Sequence, residues 1–410
     1  MILAFNSGSS NLKFGCFDAH TLRSLAAGSI DWSGGARSAV VVDGDGAEIF
    51  RRETVIDGHG AAVQESLRLL KVAGVVPAAG GRSSLSAVGH RVVHGGTKFR
   101  ASTVIDPGTR AAMRELAELA PLHSPPALEI IDCAGAELPG VPQIAVFDTA
   151  FFLDLPPWAY VYPLPYDWFT EWGIRRFGFH GLSHDYCARR TAELEPRREG
   201  LNLISCHLGN GCSATAVRDG KAVATTMGFT PLEGLMMGTR SGSIDPGILV
   251  YLARRKGFTA DDIDDALNRQ SGLLGVSGLS ADFREVESAA RQGNERAKLA
   301  FDIYVDRVRA SIGSLAVTLG SVDALIFTGG VGENSAGLRT AVCDGLQCLG
   351  IHLDRARNDA CRADTNIAAA HSRSTIWLLH TREELMIARE AQPVMREVRA
   401  CSKRPDGAHT

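Results

Sequence analysis

Asn6-Ser7-Gly8-Ser9-Ser10-Asn11-Leu12-Lys13 is the stretch from which the rest of the chain is read. It follows a short apolar run, residues 1–5, and leads into LKFGCFD at 12–18, where apolar and polar positions roughly alternate. Two strand-like runs joined by small polar residues and one glycine make a β-hairpin. A turn this rich in hydroxyls, with little bulk and a lysine at its exit, suits a phosphate. Backbone N–H groups and hydroxyls donate hydrogen bonds, Gly8 lets the backbone come close, and Lys13 supplies a point charge. The same residues equally serve a hairpin with no ligand.

Working outward, 410 residues suggest two or three domains with ample material for real cores. A hydrophobic content of 45% with 22% charged residues is ordinary for a globular chain, so disorder is not expected. A net charge of −3 gives no support to a nucleic-acid or anionic-membrane surface. No apolar run approaches the length of a membrane span, and the start of the chain lacks a basic n-region. Nine scattered cysteines without a C-x-x-C pair read as reduced thiols, and a soluble cytoplasmic protein is expected.

The pattern predicts helices over 62–73 and 107–120, and strands over 86–94 and 142–147, the latter ending at Asp148. Residues 151–172 are rich in proline and aromatics and read as a long irregular crossing, a natural domain boundary. A second strand–turn–strand then follows: 201–207, the turn Leu208-Gly209-Asn210-Gly211, and 212–217. A helix around 297–319 and a β run at 324–328 come later, and residues 401–410 read as a tail. The two hairpins, 2–18 and 201–219, each open roughly half of the chain. They imply duplicated halves that grip a nucleotide between them, or a chance likeness of two common hairpins.

Several constellations carry chemistry. Arg91 ends a strand in GHRVVHGG (89–96), and its planar fork matches a carboxylate or phosphate, or a surface ion-pair partner. Asp148 ends an apolar strand, where α/β sheets place site residues, although an N-cap reads the same way. His180 in GFHGLSH (178–184) suits an oxyanion better than zinc, because H-E-x-x-H lacks its glutamate here and Gly181 argues against a regular helix. In TPLEGLMMGTRSG (230–242) an apolar insert framed by glycines delivers Arg240, as a loop presents a cation to a phosphoryl group. Gly330-x-Gly332-x-x-Ser335 after a strand imitates a dinucleotide fingerprint, with Asp354 where a ribose-binding acid would stand. Glu383 and Glu384 suit Mg²⁺ or the first turn of a last helix.

Taken together, NSGSS, GHRVVHGG, PLHSPP, FDTAF, RRFGFHGLSH, CHLGNG, MGFTPLEGLMMGTRSG, FTGGVGENS and T-x-E-E-L-x-I-A-R-E run in order over nearly the whole chain. In these motifs the sequence resembles the acetate kinase family, of the acetate and sugar kinase/Hsc70/actin superfamily. The resemblance implies an α/β protein of two duplicated actin-like (ribonuclease H-like) domains with an active-site cleft between them. The domains would be 1–150 plus about 384–400, and 151–383, usually in a homodimer. It implies transfer of the ATP γ-phosphoryl to acetate, giving acetyl phosphate and ADP, with Mg²⁺ or Mn²⁺; propionate or butyrate is the alternative acid.

Carried over by position, Asn6 and Glu383 would help hold the metal, with Lys13 near the phosphates. Arg91 and Arg240 would bind the acid and the phosphoryl, Asp148 would orient or activate the acid, His180 would stabilise the transition state, and His123 would line the site. Nucleotide binding would fall to His207, Leu208, Gly209, Asn210 and Gly211, to Asp282, Phe283 and Arg284, and to Gly330, Val331, Gly332, Glu333 and Asn334. Val93, Leu122, Phe179 and Pro231 would form a small apolar pocket for the methyl group, with Val93 narrowing it.

Four positions depart from the family pattern. Asn11 replaces Ser, Phe152 replaces His, Ser243 replaces Asp, and Arg382 replaces Asn beside the glutamates. The last two together are expected to raise KM for Mg-ATP. An NAD-type oxidoreductase and a nucleotide-binding regulator without turnover are the readings from other classes.

Overall fold

Ile2–Ser7 (β1) lies inside its sheet with a neighbouring strand on each side, and Ile2 through Phe5 are all but inaccessible. An apolar run without alternation is what a strand covered on both faces requires. Asn11–Phe17 (β2) returns antiparallel to it, with Phe5 opposite Phe14 and Asn6 opposite Lys13. The structure, a computed structural model, describes the chain apart from residues 9–10, 33–37, 45, 54, 77–84, 117–123, 197–199, 363 and 403–410.

Three further strands, Ser24–Asp31 (β3), Ser38–Asp43 (β4) and Glu48–Glu53 (β5), extend the antiparallel side. On the other side Ala87–Val92 (β6) and Gln143–Phe147 (β8) add in parallel, and Thr103–Val104 (β7) closes the edge. The order is β5-β4-β3-β2-β1-β6-β8-β7. A second sheet is built from Asn202–Leu208 (β9), Cys212–Arg218 (β10), Lys221–Thr225 (β11), Ala324–Thr328 (β12), Thr365–Asn366 (β13) and Thr375–Leu378 (β14), in the order β11-β10-β9-β12-β14-β13.

The duplication lies in this topology. The run β3-β2-β1-β6-β8 recurs as β11-β10-β9-β12-β14, each with two antiparallel pairings followed by two parallel ones. Both hairpins expected from the sequence therefore open equivalent sheets.

The chain divides into two compact units, Met1–Ala150 with Arg382–Thr410, and Phe151–Thr381. Glu383 goes with the first unit and not the second, where the sequence boundary put it. The reason is packing: the helix Glu383–Ser402 lies against β1, β6 and β2. Gly89 on β6 permits the approach, since a Cβ there would sit 2.7 Å from Ile387 Cγ2. The helices Gly58–Val72 and Ser124–Glu137 pack together, and Val63, Leu67, Leu70, Ile130 and Ala134 share the core with Leu3, Phe5, Leu12 and Phe14. In the second unit the helix Glu295–Leu319 begins at Asn294, whose side chain accepts from Ala297 N at 2.9 Å, and ends at Gly320 in the left-handed region. The crossing at 151–172 is not wholly irregular, for it contains the short helices Pro157–Tyr160 and Tyr166–Thr170. Among the described residues, no helix is long and apolar enough to cross a membrane.

His90 on β6 is buried, and its Nε2 meets Gln143 Oε1 at 2.7 Å. Burial pulls its pKa from 6.5 down to about 4, against a smaller raising effect of the Gln143 contact. Between those values the unfolded chain binds more protons, so stability rises with pH and is lost as pH falls from 6.5 towards 4. At about 1.4 kcal/mol per unit, His90 accounts for roughly 3 kcal/mol of that loss. His90→Gln is expected to flatten the decline, as measured by urea midpoints at pH 7, 6, 5 and 4.

Candidate active site

In the first unit, the ends of β1, β6 and β8 and the start of the last helix bring five polar side chains together. Asp148 follows β8 and is 1% exposed; Arg91, near the end of β6, lays its fork on one carboxylate oxygen, Nε at 3.0 Å with Nη2 closer still. Arg91 Nη1 reaches Asn6 Oδ1 at 3.5 Å. The Asn6 amide donates its two protons to Glu383 Oε2 at 2.8 Å and Glu384 Oε1 at 2.9 Å. Burial works against the charge on Arg91, but Asp148, Glu383 and Glu384 outweigh it and hold the guanidinium ionised. Asp148 thus orients Arg91, and Nη1 is the guanidinium nitrogen that does not face this carboxylate and reaches Asn6 instead.

Two glutamates converging on one amide bring like charges together, which a bound cation relieves. Hard oxygens from one or two carboxylates suffice for Mg²⁺, which keeps the rest of its shell from water and phosphate. The residues present fit that ion, although they form no ready cluster of three metal-binding side chains among the described residues. Lys13 is exposed, opposite Asn6 across the hairpin.

In the second unit, the turn after β9 is the centre. His180 sits immediately before the helix Gly181–Leu194, in the left-handed region at φ 58°. A non-glycine residue held there costs about 1–3 kcal/mol and is typical of functional sites. Gly181 therefore does start a helix, contrary to its reading as a breaker, because His180 makes the bend just before it. The His180 ring stacks on His207 with centroids 4.3 Å apart, and its Nδ1 meets Ser213 Oγ at 2.9 Å. A Cβ on Gly211 would lie 3.4 Å from His180 Nε2 and 3.7 Å from Arg240 Nη1, so imidazole and guanidinium flank the same bare turn.

Arg240 is carried by a loop whose apolar insert, Leu235, Met236 and Met237, is buried in the core. Its Nη1 donates to Pro231 O at 3.0 Å, and it makes no ion pair among the described residues. Burial consequently lowers its pKa, opposed by the nearby Cys212. Ser243 clasps the loop's base, N to Gly234 O at 2.9 Å and Oγ from Gly234 N at 3.0 Å. Its contacts are thus with backbone, not with Arg240. Glu233 buttresses the same loop through Arg176 at 2.6 Å and the Tyr162 hydroxyl.

The loop after β12 lies alongside this turn. Gly329 has φ 79°, and a Cβ there would meet Leu208 O at 2.7 Å. A Cβ on Gly209 would lie 3.9 Å from Gly330 N. Gly238 N donates to Asn210 O at 3.1 Å, and a Cβ on Gly238 would lie 3.0 Å from Ala281 O, next to Asp282. The segments around 208–211, 281–282 and 329–334 are therefore neighbours, offering backbone N–H groups and helix starts of the kind that cradle phosphates.

A scan of the whole chain against family models matches the acetokinase family over residues 1–389. The acetate kinase of Gloeobacter violaceus is 49% identical over 406 residues, spanning 95% of this chain and 98% of its own. The chain belongs to the acetokinase family. A propionate kinase from Citrobacter rodentium is 46% identical over 394 residues, covering 96% of both chains. The crystal structure of Porphyromonas gingivalis acetate kinase superposes with a TM-score of 0.84 at 39% identity, covering 96% of this chain and 99% of that one. The two units are accordingly actin-like domains, and the protein is a phosphotransferase of the kinase type.

Family membership removes the oxidoreductase reading, and the geometry agrees. Ser335 and Asp354 are N-caps, accepting from Leu338 N and Arg357 N at 3.0 Å each. Some expected nucleotide residues also have side chains committed elsewhere. Phe283 is buried against Phe301 and Tyr304. Asp282 caps its own helix and pairs with Arg284 at 2.5 Å. Glu333 ties the glycine loop to the end of β14, accepting from Gly329 N at 3.0 Å and Thr381 N at 3.3 Å and meeting His380 at 2.6 Å. Val331, Gly332 and Asn334 lie on the short helix Gly329–Asn334, Asn334 turning back to Gly330 O at 2.8 Å. Val93 and Phe179 are buried, and Pro231 is half-buried. Leu122 and His123 lie outside the described residues.

Sequence reasoning missed Ser213, Ser183 and the Asn6 contact of Glu384. Ser183 Oγ meets His207 Nδ1 at 2.8 Å and receives a bond from Thr381 Oγ1 at 3.1 Å. Of the departures, Arg382 is exposed and makes no ion pair among the described residues, and Phe152 is fully buried against His184 and Gly178. Asn11 begins β2, its carbonyl accepting from Gly8 N at 2.9 Å.

Proposed function

We propose that this chain catalyses reversible, in-line transfer of the ATP γ-phosphoryl to acetate, giving acetyl phosphate and ADP. The observation that carries the reading is the convergence on Asn6 of Arg91 and two glutamates, with Asp148 holding the arginine from behind. Arg91 Nη1 binds the acid's carboxylate and orients one oxygen as nucleophile. A carboxylate is already ionised at neutral pH, so no strong base is needed. Asp148, buried and committed to Arg91, serves as that arginine's orienter and not as an attacking group.

Glu383, Glu384 and Asn6 hold Mg²⁺ or Mn²⁺, which when bound neutralises charge on the nucleotide phosphates. Arg240 and His180 meet the charge that develops on the phosphoryl oxygens, in the manner of preorganised cations and donors in phosphoryl transfer. The turn 207–211, the 282–284 segment and the glycine loop at 330–334 hold the nucleotide, with Lys13 at the phosphates. Val93, Leu122, Phe179 and Pro231 surround the methyl group, and His123 lines the site. One methylene in such a pocket is worth only about 1–3 kcal/mol. The similarity to a propionate kinase keeps propionate as the second acid. ADP release with acetate, propionate and butyrate tests the ranking: kcat/KM is expected to fall with chain length, and a maximum at propionate would transfer the assignment to that acid.

The protein is proposed to act as a homodimer in the cytoplasm. Trp158, Tyr166 and Trp172 are 67%, 63% and 64% exposed, and Ile248, Val250 and Tyr251 are exposed as well, an unusual amount of large apolar surface. The eight cysteines whose side chains are described are free thiols, as a reducing compartment keeps them. Trp172→Glu with Trp158→Glu is expected to convert a dimer to monomer in sedimentation velocity; an unchanged sedimentation coefficient would place the contact elsewhere.

A further inference from the structure

Ser213 occupies a position that no motif marks. It is fully buried on β10, and its single hydroxyl meets two imidazoles, His180 Nδ1 at 2.9 Å and His184 Nε2 at 2.7 Å. A serine hydroxyl has one proton to give and two lone pairs to receive with. It can donate to only one of the rings, so the other must donate to it.

His184 decides which. It is completely buried in the helix Gly181–Leu194, and its Nδ1 has no hydrogen-bond partner among the described residues. The Phe152 ring stands beside it, edge to face, with centroids 6.1 Å apart. Burial, reinforced by the neighbouring His207, pushes the pKa of His184 well down, so it carries a single proton. On Nδ1 that proton would be a buried donor with no acceptor, a kind of orphan that native structures almost never keep. On Nε2 it has Ser213 Oγ. The buried Ser213 hydroxyl then donates its own proton to His180 Nδ1, its one other partner among the described residues, and the proton of His180 itself resides on Nε2.

We propose that Ser213 is a positioning residue that fixes the tautomer of His180, presenting Nε2–H as a neutral hydrogen-bond donor beside Arg240. The role rests on the reading of His180 as a group that meets the phosphoryl. The surroundings agree with a neutral donor. Nε2 and Arg240 Nη1 flank Gly211 at 3.4 and 3.7 Å from the same point, and His207 stacks on the ring at 4.3 Å. A second proton on His180 would set a cation against Arg240 and against that ring. A donor fixed in advance needs no reorganisation when charge develops on a phosphoryl oxygen.

Ser213→Ala and Ser213→Thr, each alone and in a His180→Asn background, test the assignment, with ¹⁵N imidazole spectra of the histidine-labelled protein. The wild-type spectrum should show His180 Nε2 protonated and Nδ1 accepting. Ser213→Ala should mix the tautomers and lower kcat about 10-fold, a fraction of what deleting a preorganised donor costs, with both KM values within about twofold. Ser213→Thr should restore both signals, and Ser213→Ala should add nothing once His180 is gone. A wild-type spectrum with the proton on His180 Nδ1 would overturn the proposal, as would an equal loss from Ser213→Ala in the His180→Asn background. Full kcat in His180→Asn alone would instead remove the catalytic reading of His180, while the spectrum still decides the tautomer.

Discussion

Arg91→Ala is expected to lower kcat/KM for the acid by about 10²–10³, as loss of one preorganised charged donor does, and to destabilise the first unit as well. The two effects have separate origins. Activity should fall because Nη1, the nitrogen not engaged with Asp148, is the group proposed to meet the acid. Stability falls because Asp148, 1% exposed, loses the cation that its carboxylate faces. Removing one partner of a buried pair costs about 3–5 kcal/mol, most of it from the charge left behind. Arg91→Ala combined with Asp148→Asn should therefore recover most of the thermal midpoint and none of the activity. Recovery of activity in the double variant would show that the arginine is only a structural counter-ion. The measurements are initial rates across acid concentration and melting curves on the three proteins.

Arg240→Ala is expected to behave oppositely in stability. A positioned arginine in phosphoryl transfer is worth about 10³–10⁵ in kcat, and a loss in that range is expected here, with nucleotide affinity changed little. The fold should not suffer. Arg240 has no carboxylate partner among the described residues; its one strong contact is the Pro231 carbonyl, and burial already works against its charge. Its removal relieves a desolvated cation and leaves no buried anion behind, so the thermal midpoint should hold or rise. Parallel kcat and melting measurements on the variant check both halves. A large fall in the midpoint with kcat intact would make Arg240 a structural residue of its loop.

That contrast between two arginines was only half legible in the sequence. Arg91 was picked out as the end of a strand and Arg240 by the glycine-framed loop that carries it, but nothing local says that Arg91 is paired and Arg240 is not. The partner of Arg91 lies 57 residues away, at the end of a parallel strand. The hairpins at 2–18 and 201–219 were readable because a small-residue turn between strand runs is written in adjacent residues. The strands β3, β4 and β5 were not read. His180 was found through its glycines, yet Gly181 was taken as a breaker because its effect depends on the left-handed bend one residue earlier. Asp354 and Ser335 imitated a dinucleotide site because an N-cap and a ligand-binding side chain use the same residue types. Ser213 and Ser183 carry no signal at all: each is one serine in an ordinary element, given meaning only by the histidines that the fold places against it.

The central claim is that a carboxylate, not water or a hydroxyl, receives the phosphoryl group. Trapping the product with hydroxylamine, in the presence of Mg-ATP and acetate, tests it most directly. Acetyl hydroxamate is expected in amounts equal to the ADP formed, and its rate of formation is expected to fall at least about 100-fold in Arg91→Ala and about 1,000-fold in Arg240→Ala. ADP formed with inorganic phosphate and no hydroxamate, or ATP bound with no turnover for any of the three acids, would contradict it.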